Sequence, residues 1–242
     1  MKLGWAHRGR WFRSYSRHWE RGQFSADTVL ARINLSALRD NLLRVAKSLA
    51  AADGLAVARL EEALLLRRSG IAQRILLLAT LLGAADLSMC LEQHIDVTVH
   101  DESSVDLIAS QARSTPLRTW FKLDSGMHRV GLNPDAFVNA DRVLSSHPGI
   151  LELIHMTHFS NAGEVNTLER QLACFARCHG MSSEAKVSLA NSAALITRPE
   201  THADWVRPGI MLYGDNPHGA AHPVSLRPVM TLSAHMIAVR QV

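Results

Sequence analysis

Four short segments of this 242-residue chain gather side chains that can bind or steer charge. They are Asp124-Ser125-Gly126-Met127-His128-Arg129-Val130-Gly131, Thr157-His158-Phe159-Ser160, Asn191-Ser192-Ala193-Ala194 and Val206-Arg207-Pro208-Gly209-Ile210. Arg129 and Arg207 supply cationic donors, His158 a ring, and Ser192 a hydroxyl beside the Gly-containing backbone at 209–210. Together these groups can receive an anionic ligand that carries a phosphate. Taken singly each has a plainer explanation: a surface arginine, a satisfied buried histidine, an ordinary loop. What carries the functional reading is their shared position, since each follows a short apolar run.

Two other clusters invite a metal and are set aside. His155 and His158 are three apart on a strand and so point to opposite faces, and one ion cannot bridge them. Cys174, Cys178 and His179 share one helix at i, i+4 spacing but have no second ligand pair, which favours packed or exposed thiols over zinc. No metal is expected.

The elements that must position the four segments alternate regularly. Ala31–Leu35 reads as a strand, and Ser36 caps a helix with Leu38, Leu42, Val45 and Leu49 at helical spacing. Further strands are predicted at 55–58, 75–78, 97–100, 120–123, 151–157, 187–190 and 205–213. Helices are predicted at 61–68, closed by Gly70, and at 84–93, 105–111, 134–145 and 166–178. Short apolar strands separated by helices imply parallel strands with crossover helices. Seven of them after the first helix are close to an α/β barrel of the (β/α)8 type, which places its chemistry at the carboxyl ends of the strands.

Composition agrees with a folded, water-soluble chain: 47% of residues are apolar and 20% charged, and no apolar run approaches the ~18 residues needed to span a bilayer. The net charge of +4 is unevenly placed. Residues 1–24 hold Lys2 and five arginines against Glu20, together with Trp5, Trp11 and Trp19, whereas the rest carries 20 basic and 21 acidic side chains. The body is therefore neutral, and no nucleic-acid or membrane partner is expected. Residues 1–26 form a basic, Trp-rich extension without an apolar signal core, expected to be disordered. Cys90, Cys174 and Cys178 make no disulfide framework, which points to a reducing, cytoplasmic setting.

From residue 28 onward the chain resembles the alanine racemases, pyridoxal-phosphate (PLP) enzymes with an N-terminal TIM-like barrel and a C-terminal β domain. The matching segments are ARINLSALRDNL (31–42), GLAVARLEEAL (54–64), KLDSGMHRVG (122–131), MTHFSNA (156–162), SLANSAAL (188–195), DWVRPGIMLYG (204–214) and RPVMTLSAHMIAVR (227–240). The resemblance implies interconversion of L- and D-alanine for the cell wall, an alanine substrate and a homodimer. It assigns Arg207 to the pyridine nitrogen of PLP, with His158 beside the ring and hydrogen-bonded to Arg207. Asn191, Ser192, Gly209 and Ile210 fall to the cofactor and its phosphate, and Arg129 to the substrate carboxylate. Lys122 matches a position that is often carbamylated in the family and steadies that arginine.

The departures are as informative. The family's PLP-lysine segment, A-V-x-K-A-N-A-Y-G-H-G, is absent: the helix ending Lys47-Ser48-Leu49-Ala50 runs straight into Asp53-Gly54. The missing piece amounts to about one βα unit, and Lys47, mid-helix, cannot replace the lysine. The family's second base, a tyrosine of the β domain, is matched by neither Tyr15 nor Tyr213. The expectation is therefore a barrel over 27–225 lacking one βα unit, followed at 226–242 by the first strand of a truncated β domain. PLP would be held non-covalently at best, with no catalytic base in the chain. Two other readings stand beside this one: a non-catalytic PLP-binding or interaction remnant, and the product of a decayed gene.

Overall fold

The computed structural model describes residues 51–79, 81, 83–111, 116–180, 185–222 and 224–226, all within one compact unit. The N-terminal extension, the strand at 31–35, the helix that follows it and the strand beginning at Arg227 lie outside the described residues.

Seven strands form one sheet in strict sequence order: β1 (Gly54–Val57), β2 (Arg74–Leu77), β3 (Asp96–Val99), β4 (Leu117–Lys122), β5 (Ile150–Met156), β6 (Lys186–Asn191) and β7 (Trp205–Arg207). Every neighbouring pair is parallel. Between them run helices α1 (Leu60–Arg68), α2 (Ala84–Glu92), α3 (Glu102–Gln111), α4 (Pro134–Leu144), α5 (Val165–His179) and α6 (Ser192–Thr197). Among the described residues this is a curled, seven-stranded part of a TIM-like barrel, consistent with the incomplete barrel expected from the sequence.

Local chemistry accounts for the helix ends. The Glu62 carboxylate accepts from the N–H groups of Ala58 and Arg59 at the start of α1. Gly70, with φ +81°, closes the same helix while Ile71 donates back to the Leu66 carbonyl. Asn133 caps α4 through Ala136 N, with Pro134 at the first helical position.

Side chains alternate across the sheet. Outward, Ile75, Leu77, Val97, Val99, Phe121 and Leu189 pack with helix residues such as Leu66, Leu87, Ile108, Phe137 and Phe175 in the main core. Inward, Leu76, Trp120, Ile154 and Met156 form a second cluster, with Trp205 against it. Below that cluster, at the amino ends of the strands, Arg74 reaches Asp96 at 2.6 Å and Glu152 at 2.8 Å. Glu152 also pairs with Lys186 at 2.6 Å and Arg118 at 3.5 Å. The Arg74 guanidinium lies 4.8 Å from the Trp205 ring centroid. A β2 side chain thus touches β5 and β7, neither its ladder neighbour, so the sheet curls around this interior.

One sequence expectation is corrected, and one element is added. The strand predicted over 205–213 ends at Arg207, because Pro208 has no N–H to donate to a ladder. Residues Ile210–Tyr213 instead form a 3₁₀ turn closed by Gly214 at φ +81°. Asn191-Ser192 is more than a loop: Asn191 ends β6 and caps α6 through Ala194 N.

Candidate cofactor and substrate site

A cleft of about 350 Å³ opens at the carboxyl ends of β5, β6 and β7. All six residues assigned to the cofactor line it: His158, Asn191, Ser192, Arg207, Gly209 and Ile210. Its size falls at the lower end of the ~300–1,000 Å³ usual for small-ligand sites.

Each side chain is placed by its element. Arg207, the last residue of β7, faces inward. Its guanidinium donates to Ser188 Oγ and to the carbonyls of Thr157 and Leu189. Burial lowers its pKa to about 10, which leaves it cationic at neutral pH. Five N–H donors and three described bonds leave capacity for a ligand acceptor. Among the described residues no hydrogen bond joins His158 to Arg207, so the orientation expected from His158 comes instead from Thr157, Ser188 and Leu189. His158 and Arg207 are coupled by charge. Burial first, then the cations Arg207, Lys122 and Arg129, hold the His158 pKa down to about 4, so its ring is neutral at pH 7.

Ser192, buried, sits in the first turn of α6, and its Oγ accepts from Met211 N at 3.4 Å. Asn191 Nδ2 donates to the Phe159 carbonyl while its Oδ1 caps α6. A Cβ at Gly209 would meet nothing within 4 Å, so the backbone there borders open space.

Lys122 ends β4 on the inward face. Burial lowers its proton affinity, and Arg129 and Arg207 lower it further against the pull of Asp124. Arg129 is exposed, just past the bend of the 122–131 loop. Lys122 and Arg129 are like charges, so steadying of one by the other needs an anionic group between them. Neither lines the cleft directly. Both add to its positive field.

Three residues to which the sequence reading gave no role of their own hold these loops. Asp124 Oδ1 accepts from the N–H groups of Gly126, Met127 and His128, which folds the loop back on itself. Gly131, at φ +148°, comes so close to β4 that a Cβ there would lie 2.7 Å from Asp124 N. Gln171 of α5, almost fully buried, bonds Ser125, His158 and Ser160. The available signal was its position: Gln171 interrupts the apolar stripe of Leu168, Leu172 and Phe175.

The remaining candidates lie elsewhere. His155 faces the helices, with Nε2 3.1 Å from Asp141 Oδ1 and Nδ1 3.0 Å from His179 Nδ1. His158 lies past the end of β5, so the two histidines do not share a strand as the sequence reading expected; His155 packs on the helix side while His158 lines the cleft. Cys178 is buried on α5, and burial pushes its thiol pKa up.

A family model described as "Alanine racemase, N-terminal domain" matches residues 33–217. The chain is 42% identical over 217 residues to a protein of Pseudomonas aeruginosa named "Alanine racemase, catabolic", covering 88% of this chain and 60% of that one. It is 43% identical over 195 residues to an alanine racemase of Chromohalobacter salexigens, covering 78% of this chain and 53% of the relative. The crystal structure of the biosynthetic alanine racemase from P. aeruginosa superposes with a TM-score of 0.70 at 36% identity, covering 79% of this chain and 53% of that one. The chain spans roughly half to three-fifths of the length of these relatives.

Proposed function

Because the chain belongs to the alanine racemase family, we propose that its cleft holds PLP non-covalently and admits alanine, in a cytoplasmic setting. The observation that carries this reading is the convergence of His158, Asn191, Ser192, Arg207, Gly209 and Ile210 on one cleft, with Lys122 and Arg129 adding positive charge.

The donor set fits the group. A phosphate is suited by the Ser192 hydroxyl, the capped start of α6 and the unobstructed backbone at Gly209-Ile210. Arg207, held from behind by three acceptors, is a permanent donor for a ring nitrogen. Such a cation keeps that nitrogen unprotonated and so limits electron withdrawal through the ring. Arg129 suits a carboxylate, and its exposure suits a substrate arriving from solvent. When bound, PLP supplies an electron-poor ring that acidifies the α-hydrogen of an amino acid. Moving that hydrogen needs a base whose pKa lies near the working pH, and His158, at about 4, is too weak for the task. The domain plan that goes with this reading is an extension over 1–26, the barrel over 27–225 and the start of a β domain at 226–242. A homodimer, the family's assembly, is part of the same proposal.

The test is PLP titration of the purified chain, followed by borohydride and peptide mapping. The expected result is reversible binding, weakened at least tenfold in Arg207→Ala and Ser192→Ala. No stoichiometric label should appear on Lys122 or Lys186, and D-alanine should form no faster than with PLP alone. Absence of binding, or one lysine fully labelled, would overturn the reading.

A further inference from the structure

We propose that Gln171 is a positioning residue: its single amide clamps the two loops that carry His158 and Arg129, and thereby sets the shape of the cleft. The proposal rests on the cofactor reading above for its consequence in binding, although the clamp itself is a property of the protein alone.

The amide is fully used. Nε2 donates to Ser125 Oγ at 3.2 Å and to the His158 carbonyl at 3.3 Å. Oε1 accepts from Ser160 N at 3.0 Å and Ser160 Oγ at 3.2 Å. Two of these partners are backbone groups with fixed roles, a carbonyl that only accepts and an N–H that only donates. They determine which way the amide faces, since flipping it would set acceptor against acceptor and donor against donor.

That orientation propagates. Ser125 Oγ accepts from Gln171, so its own proton goes to Thr157 Oγ1 at 2.7 Å. Thr157 in turn donates to the Leu123 carbonyl at 3.0 Å. The result is a one-way chain of donors from α5, through the loop after β4, to the end of β5 and back to the end of β4. Thr157 also offers its carbonyl to Arg207. The cofactor-facing arginine, the His158 backbone and the Ser125–Met127 bend are therefore tied to one buried side chain. Space is matched as well: a Cβ on Gly126, whose φ is +135°, would sit 3.5 Å from Gln171 Cγ.

Burial explains why the side chain here must both donate and accept. Gln171 is 2% exposed, so a side chain that offered only acceptors or only apolar atoms would strand buried backbone groups of both loops. A merely structural glutamine on this helix would stabilise α5 without governing the loops, and that difference is measurable.

The experiment compares Gln171→Met, which keeps volume and removes all four bonds, with Phe175→Leu, a core change one turn further along the same helix. Hydrogen exchange is followed in the apo protein, and PLP affinity is measured by titration. For Gln171→Met the expected result is at least tenfold faster exchange at Ser160 and over 125–128, together with at least tenfold weaker PLP binding. Phe175→Leu is expected to lower the unfolding temperature while leaving loop exchange and PLP affinity at parental values. Unchanged loop exchange in Gln171→Met would overturn the clamp, and equal loop exchange in the two variants would reduce it to general destabilisation. Loosened loops with parental PLP affinity would overturn the positioning role. If the parent binds no PLP, the cofactor reading fails alone, and the exchange data still decide the clamp.

Discussion

Replacing Arg74 by methionine tests whether the curl of the sheet is held from inside. Arg74 is 22% exposed and its partner Asp96 3%, so their contact at 2.6 Å is largely shielded from water. Removing one partner of a buried pair costs about 3–5 kcal/mol, because the other charge is left behind. Glu152 loses less, since Lys186 and Arg118 remain, and that share is of the order of 0–1 kcal/mol. The lost guanidinium contact with Trp205 adds about 0.5–2 kcal/mol. Asp96 keeps the Trp120 indole N–H at 3.1 Å, and methionine refills part of the space. A net loss of about 3 kcal/mol at pH 8 follows from these opposing contributions. It should depend on pH with a defined sign. Burial raises the Asp96 pKa even with Arg74 present. Without Arg74 it rises further, so the folded variant takes up a proton sooner than its parent. Stability relative to the parent is therefore regained as pH falls from 8 to 5. Urea unfolding followed by far-ultraviolet circular dichroism measures both quantities, and adding Asp96→Asn should restore part of the loss at pH 8. A loss that is the same at every pH, or is not eased by Asp96→Asn, would refute the reasoning.

Two further outcomes are expected. Gly131→Ala forces a Cβ to 2.7 Å from Asp124 N at a φ of +148° and should destabilise by about 2–3 kcal/mol in urea unfolding; a change within about 0.5 kcal/mol, the range of neutral surface changes, would show that the 122–131 loop is not pinned there. His158, held near pKa 4 in the fold against about 6.5 unfolded, contributes stability that is present above pH 6.5 and lost as pH falls toward 4. His158→Gln should flatten the stability curve over that window, and parallel curves for parent and variant would show that the ring is not shielded by burial and neighbouring cations.

The strands were legible because each is a short apolar run bounded by turn residues, and their parallel order followed from the helices between them. The 205–213 run was misread because Ile210-Met211-Leu212-Tyr213 is as apolar as a strand; Pro208 was the stop signal, and its missing donor is what ends β7. The residues that line the cleft were legible through their place after strands and through the resemblance. Gln171, Asp124 and Ser125 were not, since their roles depend on which loops meet, and single-sequence spacing does not carry that. The charged floor was hidden for another reason. Arg74, Asp96 and Glu152 look like solvent-facing positions of half-buried strands, and only the inward curl brings them together.

Arg74 ties strands that the backbone ladder does not join. A hydrogen-bonded ladder fixes spacing along the sheet but offers little stiffness against flattening, much as a bow stave does without its string. The links from β2 to Glu152 on β5 and to the Trp205 ring on β7 act as that string. The curl is thus held by a charged link across the interior as well as by the apolar cluster of Leu76, Trp120, Ile154, Met156 and Trp205. Ions that compete for the guanidinium would slacken this link, and the spacing between β5 and β7 at the opposite rim, where the cleft opens, would widen with it.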